Sequence, residues 1–244
     1  MRMIVALKYR YRTWRRRKLG MESRYAAPVG ASRLVSPCAL CYLQRTMKGK
    51  ADYYWRKSKE EGYPARSVFK LQEIQEKYKP LGPGNRVLDL GASPGSWSLY
   101  ILDMLAGAGR VVGVDLNPPD GKLSARKNYR FFHGDFTTKE LVRQIVEEGP
   151  FDVVVSDAAP STTGSRTLDT ARSAEIARNV LDICEKCLAA GGNCVLKIFQ
   201  GGEEKEILGR IRGRFAAARA FKPKASRSES METYFLGLGF KGQP

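Results

Sequence analysis

From Met47 onward, short apolar runs that end in glycine or a carboxylate alternate with stretches whose apolar residues recur every three or four positions. Val68, Leu71, Ile74 and Tyr78 have that helical spacing and predict a helix over 65–78. The run 86–91 (Arg-Val-Leu-Asp-Leu-Gly) predicts a buried strand, 98–105 a helix and 110–115 a second strand. A third strand is expected at 130–133, a helix at 139–148 and a fourth strand at 151–157. The longest helix is expected at 170–190, with Ile176, Val180, Ile183 and Cys187 on one face. A fifth strand at 192–199, a helix at 203–214 and two closing strands near 216–221 and 232–239 complete the pattern. Strands that alternate with helices predict an α/β fold built on a doubly wound, mostly parallel sheet. There is no internal repeat.

Residues 1–47 depart from this pattern. They show no sustained period of 3.6 or 2, and Pro28, Gly30, Ser32, Ser36 and Pro37 interrupt their middle. They hold eleven Lys or Arg against one acid, Glu22. We read 1–47 as a basic, disordered N-terminal extension and 48–244 as the folded domain. The run Arg15 to Lys18, interleaved with Tyr9, Tyr11 and Trp14, suits RNA by charge and stacking. A solvated tail, residues ahead of a start at Met21 or Met47, or an Arg-rich mitochondrial presequence are the alternatives.

Composition narrows the class. The 244 residues include 42 Lys plus Arg and 25 Asp plus Glu, a net charge of +17, of which the segment after 47 carries +7. With 43 % hydrophobic and 10 % aromatic residues the chain can bury a core, so disorder throughout is excluded. A basic excess of this size argues against neutral metabolites and for a polyanion, with nucleic acid ahead of an anionic membrane surface. No stretch approaches 18 apolar residues, and the apolar segment 3–7 is too short for a signal-peptide core. A cytoplasmic protein with reduced thiols is therefore expected. Cys38-x-x-Cys41 and Cys184-x-x-Cys187 stand too far apart for a compact zinc site, and the second pair falls on an apolar helix face, so no metal is expected. The single histidine, His133, reads as structural.

The chemistry-bearing residues fall where the strands end. Gly91-Ala-Ser-Pro-Gly95-Ser-Trp97 joins the first strand to a helix, the place in such a sheet where backbone approaches a ligand. It matches neither the dinucleotide fingerprint nor the P-loop. Asp115, 24 residues after Gly91, closes the second strand, where a carboxylate accepts both hydroxyls of a ribose. Together these favour a nucleoside-like cofactor without a pyrophosphate. Asp135 follows the third strand and suits an adenine amino group, or else caps the next helix. Asp157 ends the fourth strand, and Lys197 sits inside the apolar fifth. An ammonium there is costly unless it is paired or functional, which makes Lys197 the most informative residue in the chain.

Taken together, Ser67-Val-Phe-Lys70-Leu, Leu88-Asp-Leu-Gly-Ala-Ser-Pro-Gly-Ser-Trp97, Val114-Asp-Leu, Gly134-Asp-Phe, Ser156-Asp-Ala-Ala-Pro, Leu196-Lys-Ile-Phe-Gln-Gly and Ser226-Arg-Ser-Glu-Ser-Met-Glu232-Thr-Tyr resemble the FtsJ/RrmJ family of S-adenosylmethionine-dependent ribose 2′-O-methyltransferases. The resemblance runs from about Lys48 to Gly242 and implies a seven-stranded Rossmann-like methyltransferase with a C-terminal antiparallel strand. It places the family's catalytic Lys-Asp-Lys-Glu tetrad on Lys70, Asp157, Lys197 and Glu232. S-adenosylmethionine contacts fall on Gly91, Gly95, Trp97, Asp115, Asp135 and Asp157. Ser93 and Ser96 are small departures from the family's loop. The implied substrate is RNA, a uridine of large-subunit ribosomal RNA, and the implied enzyme is a monomer.

A free lysine is almost wholly protonated at neutral pH, so a basic role requires burial or a second ammonium nearby, as Lys70 would provide for Lys197. Asp157 and Glu232 oppose that effect and orient the group, so the four titrate as one unit. Lys197 is thus expected as the general base or as the group that steers the hydroxyl. The competing readings put Lys70 on a solvated helix face and Glu232 at a strand edge. Arg56, Lys57, Lys59 and Arg66 on one side, with Lys222, Lys224 and Arg227 on the other, are expected to hold RNA phosphates. Functional alternatives are a transfer-RNA 2′-O-methyltransferase, a non-catalytic RNA-binding assembly factor, and a membrane-surface protein, for which 1–47 lack the apolar face.

Overall fold

The computed structural model describes residues 53–227 and 229–242. The expected extension at 1–47, with Cys38 and Cys41, lies outside them. Residues 53–60 are helical (α1). After them come α2 (Val68–Tyr78), β1 (Arg86–Leu90), α3 (Ser96–Leu105), β2 (Arg110–Asp115), α4 (Gly121–Ser124) and β3 (Tyr129–His133). The rest of the chain forms α5 (Lys139–Glu148), β4 (Phe151–Ser156), α6 (Arg166–Cys187), β5 (Leu188–Phe199), α7 (Glu204–Arg214), β6 (Phe215–Phe221) and β7 (Glu232–Phe240).

The strands make one seven-stranded sheet in the order β3-β2-β1-β4-β5-β7-β6. Strands β1 to β5 pair in parallel, and β7 runs antiparallel to both β5 and β6. The strands alternate buried side chains toward two cores because both faces are covered. On one face Leu88, Leu90, Val154 and Leu196 meet Ile145 of α5, Val180 and Ile183 of α6, and Ile207 and Ile211 of α7. On the other, Val87, Val111, Val155 and Val195 meet Leu71 and Ile74 of α2, Trp97 and Ile101 of α3, and Leu123 of α4.

The expected α/β architecture is found, with local differences. Helix α6 starts at Arg166 and ends at Cys187, not 170–190, because Leu188 already pairs opposite Phe151 as the start of β5. Gly191, at φ +79°, lies where the β4–β5 register shifts between Phe151 and Val153, so β5 passes through the Gly-Gly pair instead of starting at Gly192. The one-turn α4 and helix α1 had no sequence signal. Cys184, Cys187 and Cys194 are buried free thiols, as the apolar reading of the helical pair requires. Among the described residues there is no group of metal-ligating side chains, and no helix is long and apolar enough to cross a membrane.

Candidate active site

The order of the sheet reverses between β1 and β4, and in a doubly wound fold the crevice beyond the carboxyl ends of the strands at that point takes the ligand. The glycine loop 91–95 leaves β1 there, and Asp157 follows β4. Their backbones run so close that a Cβ on Gly91 would lie 2.8 Å from the Ala158 Cα, and φ at Gly91 is +79°, so only glycine fits without strain. Gly95 caps the N-terminus of α3 at φ +109°, where a Cβ would lie 2.4 Å from Leu123 Cδ1.

Asp115, at the end of β2, braces this loop from the side. Its Oδ2 accepts from the Ser93 N–H at 2.9 Å and its Oδ1 from the Asn117 N–H at 2.8 Å. Each oxygen accepts one bond and so retains further acceptor capacity, which a ribose diol requires. The Trp97 side chain is buried in the core, with its ring N–H donated to the Ser67 carbonyl at 2.9 Å. What Trp97 offers a ligand is therefore its backbone N–H, one of the unpaired donors in the first turn of α3. Asp135 turns its Oδ1 to the Thr137 N–H and hydroxyl, both at 2.8 Å, while Thr138 occupies the N-cap position of α5. His133 makes a ring contact with Phe131 and a 2.8 Å hydrogen bond to the Leu116 carbonyl, a structural role.

Lys70, Asp157, Lys197 and Glu232 come together as two buried ion pairs. Lys197 Nζ lies 2.9 Å from Asp157 Oδ1 and also donates to the Asp157 backbone carbonyl. Lys70 Nζ lies 2.8 Å from Glu232 Oε1. The four side chains are 8 to 18 % exposed, so Lys70 is not on a solvated helix face and Glu232 is not a surface acid. Topology explains the meeting. Because β7 is antiparallel, its first residue, Glu232, pairs with Phe199 at the carboxyl end of β5, while α2 carries Lys70 over the same edge.

Tyr234 joins the two pairs, and the sequence reading missed it. It pairs in register with Lys197, donates its hydroxyl to Asp157 Oδ1 at 2.6 Å, and its ring centroid lies 5.8 Å from Lys70 Nζ. Its position two residues after Glu232, on the same face of a strand, is the signal that points to it. Burial raises the Tyr234 phenol well above its ordinary value, and the Asp157 and Glu232 carboxylates add to this, so it remains a donor. Burial alone would raise the Asp157 carboxyl, but the Lys197 and Lys70 ammonium groups and the Tyr234 hydroxyl outweigh it and hold Asp157 below the usual carboxylate range.

A fifth acid lies beneath this site. Asp89 is fully buried in β1, its Oδ2 accepts from the Ser98 hydroxyl at 2.6 Å, and its Oδ1 has no hydrogen-bond partner among the described residues. Burial pushes its carboxyl up to about 7; the Ser98 hydroxyl opposes this, and the charges of Asp157 and Asp115 add to it. At the rim, burial and then the neighbouring Arg227 guanidinium draw the Arg66 pKa below its ordinary value against the pull of Glu232, which brings basic groups from both ends of the domain beside the tetrad. Lys57 is paired with Glu61 at 3.6 Å, and the Lys59 and Lys222 ammonium groups bond to the Pro64 and Ser230 carbonyls.

Comparison with known proteins identifies the family and the fold. Residues 63–240 match the family model described as FtsJ-like methyltransferase. A relative from Treponema denticola named ribosomal RNA large subunit methyltransferase E is 48 % identical over 191 residues, covering 78 % of this chain and 96 % of its own. One of the same name from Methanothermobacter thermautotrophicus is 43 % identical, covering 80 % and 92 %. Among solved structures, a putative ribosomal RNA methyltransferase from Plasmodium falciparum superposes with a TM-score of 0.65 at 25 % identity, covering 74 % of this chain and all of its own. Aeropyrum pernix fibrillarin, solved with natively bound S-adenosyl-L-methionine, shares the fold with a TM-score of 0.52 at 17 % identity, covering 70 % and 76 %. With a family model that spans most of the folded domain and relatives this similar, the chain belongs to the FtsJ-like methyltransferases.

Proposed function

We propose that this protein transfers a methyl group from S-adenosylmethionine to a ribose 2′-hydroxyl of large-subunit ribosomal RNA. The observation that carries the reading is the pair of buried ion pairs, Lys197–Asp157 and Lys70–Glu232, bridged by Tyr234 beside the crevice at the switch point. The names of the relatives supply the RNA and favour neither transfer RNA nor a non-catalytic role. The crevice fits the cofactor: Asp115 suits the ribose hydroxyls, the first-turn N–H groups of α3 suit a carboxylate, and Asp135 and Asp157 line the adenosine side. When bound, the cofactor supplies an activated sulfonium methyl group.

The protein must then align the attacking oxygen and handle its proton. Lys197 is the group for this. As the neutral amine, Lys197 donates its two hydrogens to Asp157 Oδ1 and the Asp157 carbonyl and keeps its lone pair to take the proton of the ribose hydroxyl. Asp157 fixes that nitrogen, and Tyr234 fixes Asp157. Glu232 holds Lys70 close enough to lend positive charge as an alkoxide develops. Arg66 and Arg227 at the rim hold flanking phosphates, so binding weakens steeply as salt rises. The protein acts as a monomer in the cytoplasm.

Incubation with labelled S-adenosylmethionine and, in turn, large ribosomal subunits, naked ribosomal RNA and transfer RNA tests the reading. Label is expected on ribosomal RNA as a 2′-O-methylribose after nuclease digestion. Label on a base, or on transfer RNA alone, contradicts it.

A further inference from the structure

Helix α1 turns one face inward and leaves two large aromatic side chains exposed. Tyr54 packs on Phe69 with ring centroids 5.3 Å apart, Lys57 Nζ lies 4.7 Å over the same ring, and Ser58 is fully buried with its hydroxyl donated to the Trp55 carbonyl. These contacts seat α1 against the residue next to Lys70. Trp55 and Tyr53 stand on opposite flanks of α1, about 200° apart around the helix, and are 56 % and 52 % exposed; the Tyr53 ring packs edge-on against Tyr54, with centroids 5.3 Å apart. The two are the only aromatic side chains among the large exposed hydrophobics of the described residues; the others, Leu116, Val146 and Leu168, are scattered singly. Lys59 lies one turn from Trp55 and Arg56 next to it in sequence, both exposed, as is Glu60, while Glu61 is paired with Lys57.

The Tyr53 ring is thus used in packing, whereas the half-exposed Trp55 indole has no ring contact among the described residues. An unpaired base has an aromatic face that a tryptophan accepts whatever the base, and its phosphates need the adjoining positive charge. We propose that Trp55 is a stacking platform for an unpaired base of the RNA strand that flanks the methylated ribose. The inference rests on the RNA reading above and adds a subsite outside the tetrad and the cofactor crevice. The strand that enters the site past Arg66 and Arg227 continues over α1, where Arg56 and Lys59 meet its phosphates and Trp55 a base. The contact helps the strand to bind and makes no contact with the reacting atoms.

The test compares wild type with Trp55→Ala and Trp55→Phe on naked ribosomal RNA, measuring steady-state methyl transfer and equilibrium RNA binding. Folding is checked by thermal unfolding, and cofactor affinity by titration without RNA. Wild-type activity is measured first, so failure of the RNA reading itself shows as no transfer by any protein. Given wild-type transfer, Trp55→Ala is expected to raise KM and the RNA Kd by about 5- to 100-fold, with kcat and cofactor affinity unchanged, and Trp55→Phe to recover most of the loss. Unchanged KM and Kd in Trp55→Ala overturn the proposal. A loss seen with assembled subunits but not with naked RNA also overturns it, since that result assigns the platform to a protein.

Discussion

Two of the ion-pair clusters on this domain, the tetrad and the seam between α6 and α7, differ in one respect that separates chemistry from packing. Along the seam between α6 and α7, Arg178 meets Glu206 at 2.6 Å and also bonds Glu203, Arg210 meets Asp182 at 2.6 Å and Glu185 at 2.8 Å, and Arg214 meets Glu185 at 3.2 Å. Those side chains are 25 to 57 % exposed, whereas the tetrad's are 8 to 18 % exposed. Exposed pairs return little stability and can be kept or lost cheaply. Buried pairs carry a desolvation penalty that attraction barely offsets, so two of them at one sheet edge call for a reason other than stability. The seam has more charges, but burial marks the site.

Removing one partner from each cluster should widen the contrast. Lys70→Met leaves Glu232 buried without its cation and is expected to destabilise the domain by about 3–5 kcal/mol, while Lys70→Met with Glu232→Leu recovers most of that without recovering methyl transfer. Chemical denaturation of the single and double variants checks this; full stability in the single variant would move the pair to the surface class.

Asp89 sharpens the comparison, as a buried acid with no cation in contact. Its folded carboxyl is raised to about 7 by burial, against an unfolded value of about 4, so the folded state binds the extra proton. That contribution is complete below about pH 4 and is lost as pH rises through about 7. Relative to Asp89→Asn, wild-type stability should fall across that window by about 1.4 kcal/mol per pH unit at most. Parallel stability–pH curves for the two proteins would show that Asp89 is ionised throughout. The smallest effect belongs to the seam: Arg210→Ala is expected to change stability by no more than about 1 kcal/mol and leave methyl transfer unaltered, both measurable on one purified variant.

The same contrast explains what the sequence discloses. Lys197 is visible because one charge interrupts an apolar strand, and the glycine loop because turn, strand and helix signals coincide within seven residues. Most helices are visible by period, although the end of α6 is not, since Leu188 suits either a helix or a strand and its pairing with Phe151 decides. Tyr234 is hidden for a different reason. Its role depends on the antiparallel register that sets it opposite Lys197, a pairing between strands 37 positions apart. Helix α1 is hidden because its inward face is only Tyr54, Lys57 and Ser58, too short and polar for a periodic signal.

The central claim, that the buried Lys197–Asp157 pair serves the transfer step, is tested most directly by Lys197→Ala assayed in single turnover on ribosomal RNA, with S-adenosylmethionine affinity measured on the same preparation. In that variant Asp157 keeps its hydrogen bond from Tyr234 and the nearby charge of Lys70; stability is expected to fall by about 3–5 kcal/mol, as for Lys70→Met, so folding is checked by chemical denaturation on the same preparation. The account predicts cofactor binding within about threefold of wild type and a transfer rate lower by about 10²- to 10⁴-fold; a folded, cofactor-binding Lys197→Ala that transfers methyl at close to the wild-type rate would contradict it.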